Sequence, residues 1–549
     1  MPHRLSLEIA DPELNQRGHK KWVPTMAVWL TVGLVIVTCV CVTLWFRLNS
    51  VIHDSKAHAK ELASLLTALK GSHDEVMTQA RRTMVSERYG VKGPLPVQSR
   101  CEGRQAPPVM FGGGNWPVDA LHIYPDDASI TADTISQALD GKSGNMFAVG
   151  MDYIRIDTSM LIKKSHRGKI KGIGGMKFKG SLYVELDSEG EGIMGIHKFA
   201  LRSPGDDCTH SREALVSELY QQMCVTSYQV RPVEVYLRSD LLGLWMLAEW
   251  FDRPFIVRAF GVPSAGAVLY DMRWGFDFQY LGADDEPYRK RCHTFSPGTA
   301  CPEWMPLDDS TGLCCMGEKG YMPIPLDDAK TSVHAPIRVL NKAIQDGSDD
   351  ELSAIIDMPG VIRAMVVDLA VGQWDSFYRN FNNFFLYNQD ASKPFFRLIP
   401  FDTDPAFWRS VPGSSSVSGF TLGWDEFCCL ELQGDVRSLN LTNHLVRRAL
   451  AGKFRKQFLK ELANFLTTLY YPGHNNPINQ RARMWQKVLL PSQTKDYKGG
   501  LVQKCRSGDE RGALLEIELY TYERSCILLK QLHAVGELDD EGQDLLARC

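Results

Sequence analysis

The chain has 549 residues, 44% hydrophobic and 23% charged, with 61 Lys and Arg against 65 Asp and Glu for a net charge of −4. That composition is globular, and its near-neutral balance offers no driving force toward nucleic acid or toward acidic partners in general. No internal repeat or low-complexity tail is present.

Taken in chain order, the first feature is Trp22 to Phe46, uncharged and mostly apolar. It is about as long as the ~20 residues a bilayer core requires, and too long for a signal-peptide core. Lys20 and Lys21 abut its amino-terminal end with Arg17 close by, whereas Arg47 alone flanks the other end at once. The positive-inside bias therefore predicts a cytosolic tail over 1–21, a signal anchor over 22–46 and the remainder across the membrane. The expected protein is single-pass and type II, in the ER or Golgi or at the cell surface. Trp22 and Trp45 suit interface anchors, and Pro24 falls in the tolerated first turn.

Residues 47–90 read as a helical stem. Ile52, Ala59, Leu62, Leu66, Leu69 and Val76 fall near heptad spacing. Self-association through this stem and a solitary solvated helix are equal readings. Residues 91–118 carry Pro94, Pro96, Pro107, Pro108 and Gly112 to Gly114 and read as a linker.

A globular domain follows over 119–549, ample for a substantial core. Its first part reads as strands, including the basic, glycine-bearing Lys163 to Gly180. Lysines among glycines suit nucleotide phosphates, but Lys177 breaks the GxGxxG spacing, and a strand-turn-strand with a solvated basic face is the plainer reading. His197 to Arg202 reads as a strand with Lys198, Ala200 and Arg202 on one face. Leu241 to Glu249 reads as a buried strand. Residues 262–335 hold four cysteines and several prolines and read as a disulfide-held insertion of the second lobe. Adjacent Cys314 and Cys315, near Cys292, His293 and Cys301, do not match zinc spacing. Ala335 to Gln345 and Glu351 to Trp374 read as helices leading to the next segment, and helices recur after Asn443.

That next segment, Gln373 to Phe407, concentrates the chemistry: Asp375, Asn380 five residues on, an apolar run, and then Asp402 and Asp404 closing a second apolar run. A base, a metal-binding Asn and a metal-binding Asp around a β-hairpin is the layout of a phosphoryl-transfer site. Such chemistry needs one carboxylate for the hydroxyl's proton and further oxygen ligands for Mg²⁺. No His-Arg precedes Asp375 and no Phe-Gly follows Asp402, so turn and cap roles for these residues stand beside the functional one.

The cysteines agree with the topology. Cys39 and Cys41 lie in the apolar run, leaving twelve beyond it, an even number that suggests disulfides. Asn440-Leu441-Thr442 is a glycosylation acceptor.

WDSFYRNFNNFFLY followed by FFRLIPFDTDPAF resembles the signature of the spore-coat protein H (CotH) kinase family. Val230 to Ile256 is similar to that family's strand, turn and strand ending in Glu, HSREALVSELYQQM to its Arg-Glu helix, and NHLVRRALAGKFRKQFLKEL to the helix after the metal site. The likeness runs from about Met176 to Leu469. It implies an α+β, two-lobed, protein-kinase-like fold behind the single transmembrane helix, using ATP with Mg²⁺ or Mn²⁺. It also implies transfer to Ser or Thr of secreted or surface proteins. Asp375 falls on the catalytic Asp, Asn380 and Asn383 on the loop asparagines, and Asp402 on the metal Asp, with Asp404 in support; the resemblance makes Asn380, Asn383, Asp402 and Asp404 the expected metal ligands. Lys198 is the expected phosphate-binding cation, with Arg202 as substitute. Glu213 is its expected acidic partner, ahead of Glu218, and Glu249 falls where a kinase hinge meets adenine. The chain departs from the family at Pro405 to Trp408, where a Gly often follows the Asp pair; a Pro there argues against a mobile activation element. An inactive binding or adhesion protein, transfer to a sugar hydroxyl, and transfer of AMP are the alternatives.

Overall fold

The computed structural model describes residues 118–131, 146–157, 160–172, 181–187, 192–193, 195–203, 207–272, 276–284, 291–293, 307–308, 313–316, 321–326, 334–379, 381–390, 392–407, 423–424, 443–498 and 509–549. The expected tail, span and stem lie outside these residues, as do the linker up to residue 117, Asn380 and the glycosylation acceptor. The chain divides into two units, Met1–Met84 and Val85–Cys549, and the second holds every described residue. Among the described residues no helix is long and apolar enough to cross a membrane.

Strands β1 (Asp119–Pro125), β2 (Phe147–Asp157), β3 (Met160–Gly172), β4 (Leu182–Leu186) and β5 (Lys198–Arg202) run in sequence order. After helix α1 (Arg212–Gln222) come β6 (Val230–Leu237) and β7 (Asp240–Glu249), and the seven close into a barrel in the order β1-β2-β3-β4-β5-β7-β6. All neighbours are antiparallel except β1 with β6. Leu121, Ile123, Val149, Val184, Phe199, Leu201, Val235 and Trp245 fill its interior. The alternation along β1 and β5 follows directly, because successive strand side chains face opposite sides.

Helix α2 (Arg253–Phe260) starts at Asp252, whose carboxylate accepts from Phe255 N, and ends at Gly261. The chain continues through β8 (Val268–Met272), β9 (Arg291–His293), β10 (Leu307–Asp308), β11 (Leu313–Met316) and β12 (Tyr321–Pro325). Strands β9 to β11 form a small sheet. The segment expected to be an insertion is thus partly integral: β8 and β12 join the sheet that carries the candidate site.

Helices α3 (Ala335–Asp346), α4 (Asp349–Ile355) and α5 (Met358–Val371) follow. One expected helix is two, because Ile356 adopts extended backbone, bridging to Phe396, and Pro359 opens the next helix. Asp357 caps α5, its carboxylate accepting from Gly360 N, and Gly372 ends it at φ +60°. Helix α5 is buried on nearly every face. Around it pack α1, α6 (His444–Ala449), α7 (Gly452–Thr468), α8 (Pro477–Lys498), α9 (Asp509–Ala534) and α10 (Asp540–Leu546) in one apolar core. Strands β13 (Phe384–Asn388) and β14 (Phe396–Pro400) complete the second sheet, ordered β12-β8-β13-β14. A bridge between Cys526 and Cys549, Cα atoms 5.5 Å apart, ties α9 to the carboxyl end. Cys208 and Cys224, on either side of α1, are also disulfide-bonded.

Candidate active site

The β13–β14 hairpin brings the two expected loops together. Phe384 pairs with Pro400, and Phe401 N donates to Asn383 O at 3.0 Å, so the segment from Asp375 and the segment from Asp402 emerge side by side. Asn383 and Asp402 have φ +56°, with Phe381 at +54° and Phe407 at +59°. Asn and Asp tolerate this left-handed region, but two phenylalanines there require the surroundings to hold them.

The carboxylate of Asp375 is gripped by amides. Asn383 Nδ2 donates to Asp375 Oδ2 at 2.9 Å and to its backbone oxygen at 2.8 Å. Asn382 Nδ2 donates to both carboxylate oxygens at 3.2 and 3.3 Å. Asn383, an expected metal ligand, gives its amide nitrogen to Asp375, so the atom it keeps for a cation is Oδ1. Asn382, which carried no expectation, does the same.

Arg202, at the end of β5, faces the other loop. Its Nε lies 2.7 Å from Glu213 Oε1, and its guanidinium also pairs with Asp402. Burial alone would lower the Arg202 pKa, but Asp402 and Glu213 outweigh it and hold it well above the ordinary value. Burial raises the Glu213 carboxyl and Asp402 adds to this, against the pull of Arg202 and of Tyr228, whose hydroxyl donates to Glu213 at 2.5 Å. The Asp404 carboxyl is pushed well above the carboxylate range, first by burial and then by repulsion from Asp402. Three carboxyl groups crowd one guanidinium, which pairs with Glu213 and Asp402, and a divalent cation would relieve that crowding. Among the described residues no three His, Cys, Asp or Glu side chains form a metal cage on their own.

Lys198 shares a face of β5 with Arg202 but stands four residues away, about 13 Å along the strand. It lies opposite Glu185 on β4 and pairs with it at 3.0 Å, not with Glu213. Of the two cations considered, Arg202 is the one beside Glu213 and Asp402. Glu218 is committed elsewhere: Arg481 of α8 makes a two-pronged bond to it at 2.6 Å. Glu249 pairs across the ladder with Phe199, so its side chain shares the Phe199 face and not the Arg202 face. It is tied to Arg258 of α2, and burial raises its carboxyl to about 7.

Helix α1 is fixed by polar contacts at its start. The Asp207 carboxylate accepts from Ser211 N and Arg212 N, each at 2.8 Å, satisfying the helix's open donors. Buried Arg212 donates to Ala406 O at 3.1 Å, joining α1 to the Asp402 loop. On the same face as Arg202, Ala200 pairs with Ala248, and against them pack Tyr228, Phe385 and Ile399, with Phe251 and Phe401 alongside. Sequence reading missed Arg212, Tyr228 and this aromatic wall. The signal for Arg202 was present in Phe199-Ala200-Leu201-Arg202, an apolar-Ala-apolar-base word of the kind that sets a phosphate-binding cation at a strand's end.

A family model described as CotH kinase protein matches residues 168–295 and 324–491, more than half of the chain and including every candidate residue above. No curated protein matches the chain.

Proposed function

The chain belongs to the CotH kinase family, and on that premise we propose that it is an atypical kinase moving the γ-phosphoryl of ATP to Ser or Thr hydroxyls of secreted or surface proteins. We read its fold as the two-lobed kinase arrangement, barrel above and α5-centred lobe below, behind a type II membrane anchor at Trp22 to Phe46. The observation that carries the reading is Arg202 bridging Glu213 and Asp402 beside an amide-held Asp375.

In this reading Asp375 accepts the proton of the acceptor hydroxyl. The amides of Asn382 and Asn383 fix its direction, so the oxygen that takes the proton need not search for it. Arg202 offers a permanent cation to the phosphates, and Glu213 keeps it extended from β5. Asp402 and Asp404, with Asn380, would hold Mg²⁺ or Mn²⁺, and the donor set fits because oxygen ligands suit these hard cations. When bound, the metal supplies charge neutralisation on the phosphate oxygens. Asp404 must then give up its proton, which the nearby positive charge favours. We assign the adenine to the neighbourhood of Ala200 and Ala248, where the side chains on the Arg202 face are small, apolar and aromatic. The Cys526–Cys549 bridge agrees with an oxidising compartment such as the secretory lumen or cell exterior. Self-association through residues 47–90 completes the reading.

Intact-mass measurement of the full-length protein after incubation with ATP and Mn²⁺, beside Asp402→Ala, tests it. A phosphate-sized increment in the wild type alone is expected. An equal increment in Asp402→Ala overturns the metal assignment, and an AMP-sized increment keeps the site but changes the reaction.

A further inference from the structure

Gln373 is the first residue after Gly372, which closes α5, and lies two positions before Asp375. Its side chain is 1% exposed. Its Nε2 donates to the backbone oxygen of Asp402 at 2.8 Å, across 29 residues of sequence. A carbonyl oxygen can be met only by the NH₂ end of a carboxamide, so this contact dictates how the amide is turned. The opposite end, Gln373 Oε1, is buried and meets no hydrogen-bond donor among the described residues. A Leu or Met of similar volume would fill the space without that unsatisfied oxygen, so packing does not account for an amide here.

The residue it reaches is a special one. Asp402 has φ +56°, and at a left-handed position a rotation of the peptide redirects the carboxylate. The loop after it is pinned at intervals: Thr403 Oγ1 donates to Glu213 O at 3.3 Å, Arg212 to Ala406 O at 3.1 Å, and Phe407 N to Val371 O at 2.7 Å. Gln373 adds the tether on the peptide of Asp402 itself. It runs from the segment that carries Asp375, two residues before that carboxylate, while Phe401 N to Asn383 O joins the same loop to the residue before Asp402.

We propose that Gln373 is a positioning residue that sets Asp402 against Asp375, so that the proton-accepting carboxylate and the metal-holding carboxylate keep one fixed relation. The proposal rests on the metal role given to Asp402 above. Gln373 touches neither the acceptor nor the phosphates; it acts through Asp402.

Mn²⁺ binding to the full-length protein, measured by titration calorimetry without nucleotide and again with a non-hydrolysable ATP analogue, tests this together with thermal melting in the absence of metal. Gln373→Met keeps the volume and removes the donor. It is expected to weaken Mn²⁺ binding about tenfold, the factor that one hydrogen bond of ordinary strength represents, while the metal-free melting temperature stays close to wild type. Gln373→His restores an N–H at similar reach and is expected to recover most of the affinity. Binding by Gln373→Met within twofold of wild type overturns the proposal while leaving the metal reading intact. Wild-type protein that binds no Mn²⁺ under either condition, or binding unchanged by Asp402→Ala, overturns the metal reading and the role of Gln373 with it. A melting temperature that falls in step with affinity, unrescued by His, shows a packing role instead.

Discussion

Lys198 and Arg202 differ by four positions on one strand face, and that spacing separates a surface pair from a buried cluster. Lys198 is 39% exposed and meets Glu185, while Arg202 reaches Glu213, which is 4% exposed, and Asp402. A guanidinium can serve two carboxylates at once through its fork of N–H groups; an ammonium at that position cannot do so in the same plane. Arg202→Ala is therefore expected to lower phosphoryl transfer by roughly 10²–10³-fold, the usual cost of removing one preorganised donor from a developing charge. Lys198→Ala is expected to stay within about threefold of wild type, since a part-exposed pair is worth little. Initial rates with ATP and Mn²⁺ separate the two, and a reversed order would return the phosphate role to Lys198.

At the scale of the element, α5 is the shaft on which the site is mounted. It is buried along its length, enters at the Asp357 cap and stops where Gly372 turns left-handed to release Gln373 and Asp375. Two facts make the glycine necessary there: its φ of +60°, and the Tyr520 hydroxyl, which would lie 1.9 Å from an added Cβ. Gly372→Ala must either strain the turn or displace Tyr520 of α9. The expected cost is about 2–4 kcal/mol of stability, with activity lost beyond what the unfolded fraction explains, because the turn also aims Asp375. Urea unfolding beside specific activity checks this; unchanged activity per folded molecule would show that the turn does not aim the loop. Helix α1 is fastened in the same spirit, to α8 through Glu218 and Arg481, to α5 through the Tyr220 hydroxyl on Asp368, and to the Asp402 loop through Arg212.

Over the whole molecule, buried acids give stability a pH dependence with a definite sign. Burial raises Asp368 from 3.8 to about 7 and Glu249 from 4.5 to about 7. Between those limits the folded chain holds protons that the unfolded chain has released. Their contribution is complete below about pH 4 and is lost as pH rises toward 7, at about 1.4 kcal/mol per pH unit for each group. Asp368→Asn keeps an acceptor for Tyr220 and removes the titration. Its stability is expected to fall less steeply than wild type between pH 5 and 6.5, by about that slope. Parallel pH curves for the two proteins would mean that Asp368 stays ionised in the folded state.

Much of this protein was written locally. The Asp375 and Asp402 segments, the hairpin between them, the strand ending in Arg202 and the helix carrying Glu213 follow from residue type and period, because turn residues, strand alternation and helix caps act over a few neighbours. The family follows from the same words in order. What pairs with what did not follow. Lys198 and Arg202 look alike on one strand face, and only the crossing of β5 over the Asp402 loop chooses between them. Glu249 and Glu218 are plausible carboxylates in sequence, yet ladder register turns one away from Arg202 and packing commits the other to Arg481. The joining of β8 and β12 to β13, and the reach of Gln373 to Asp402, bring together residues far apart in the chain. Such partnerships are decided by the packing of buried faces, which a local pattern calls for without naming the surface that will meet it.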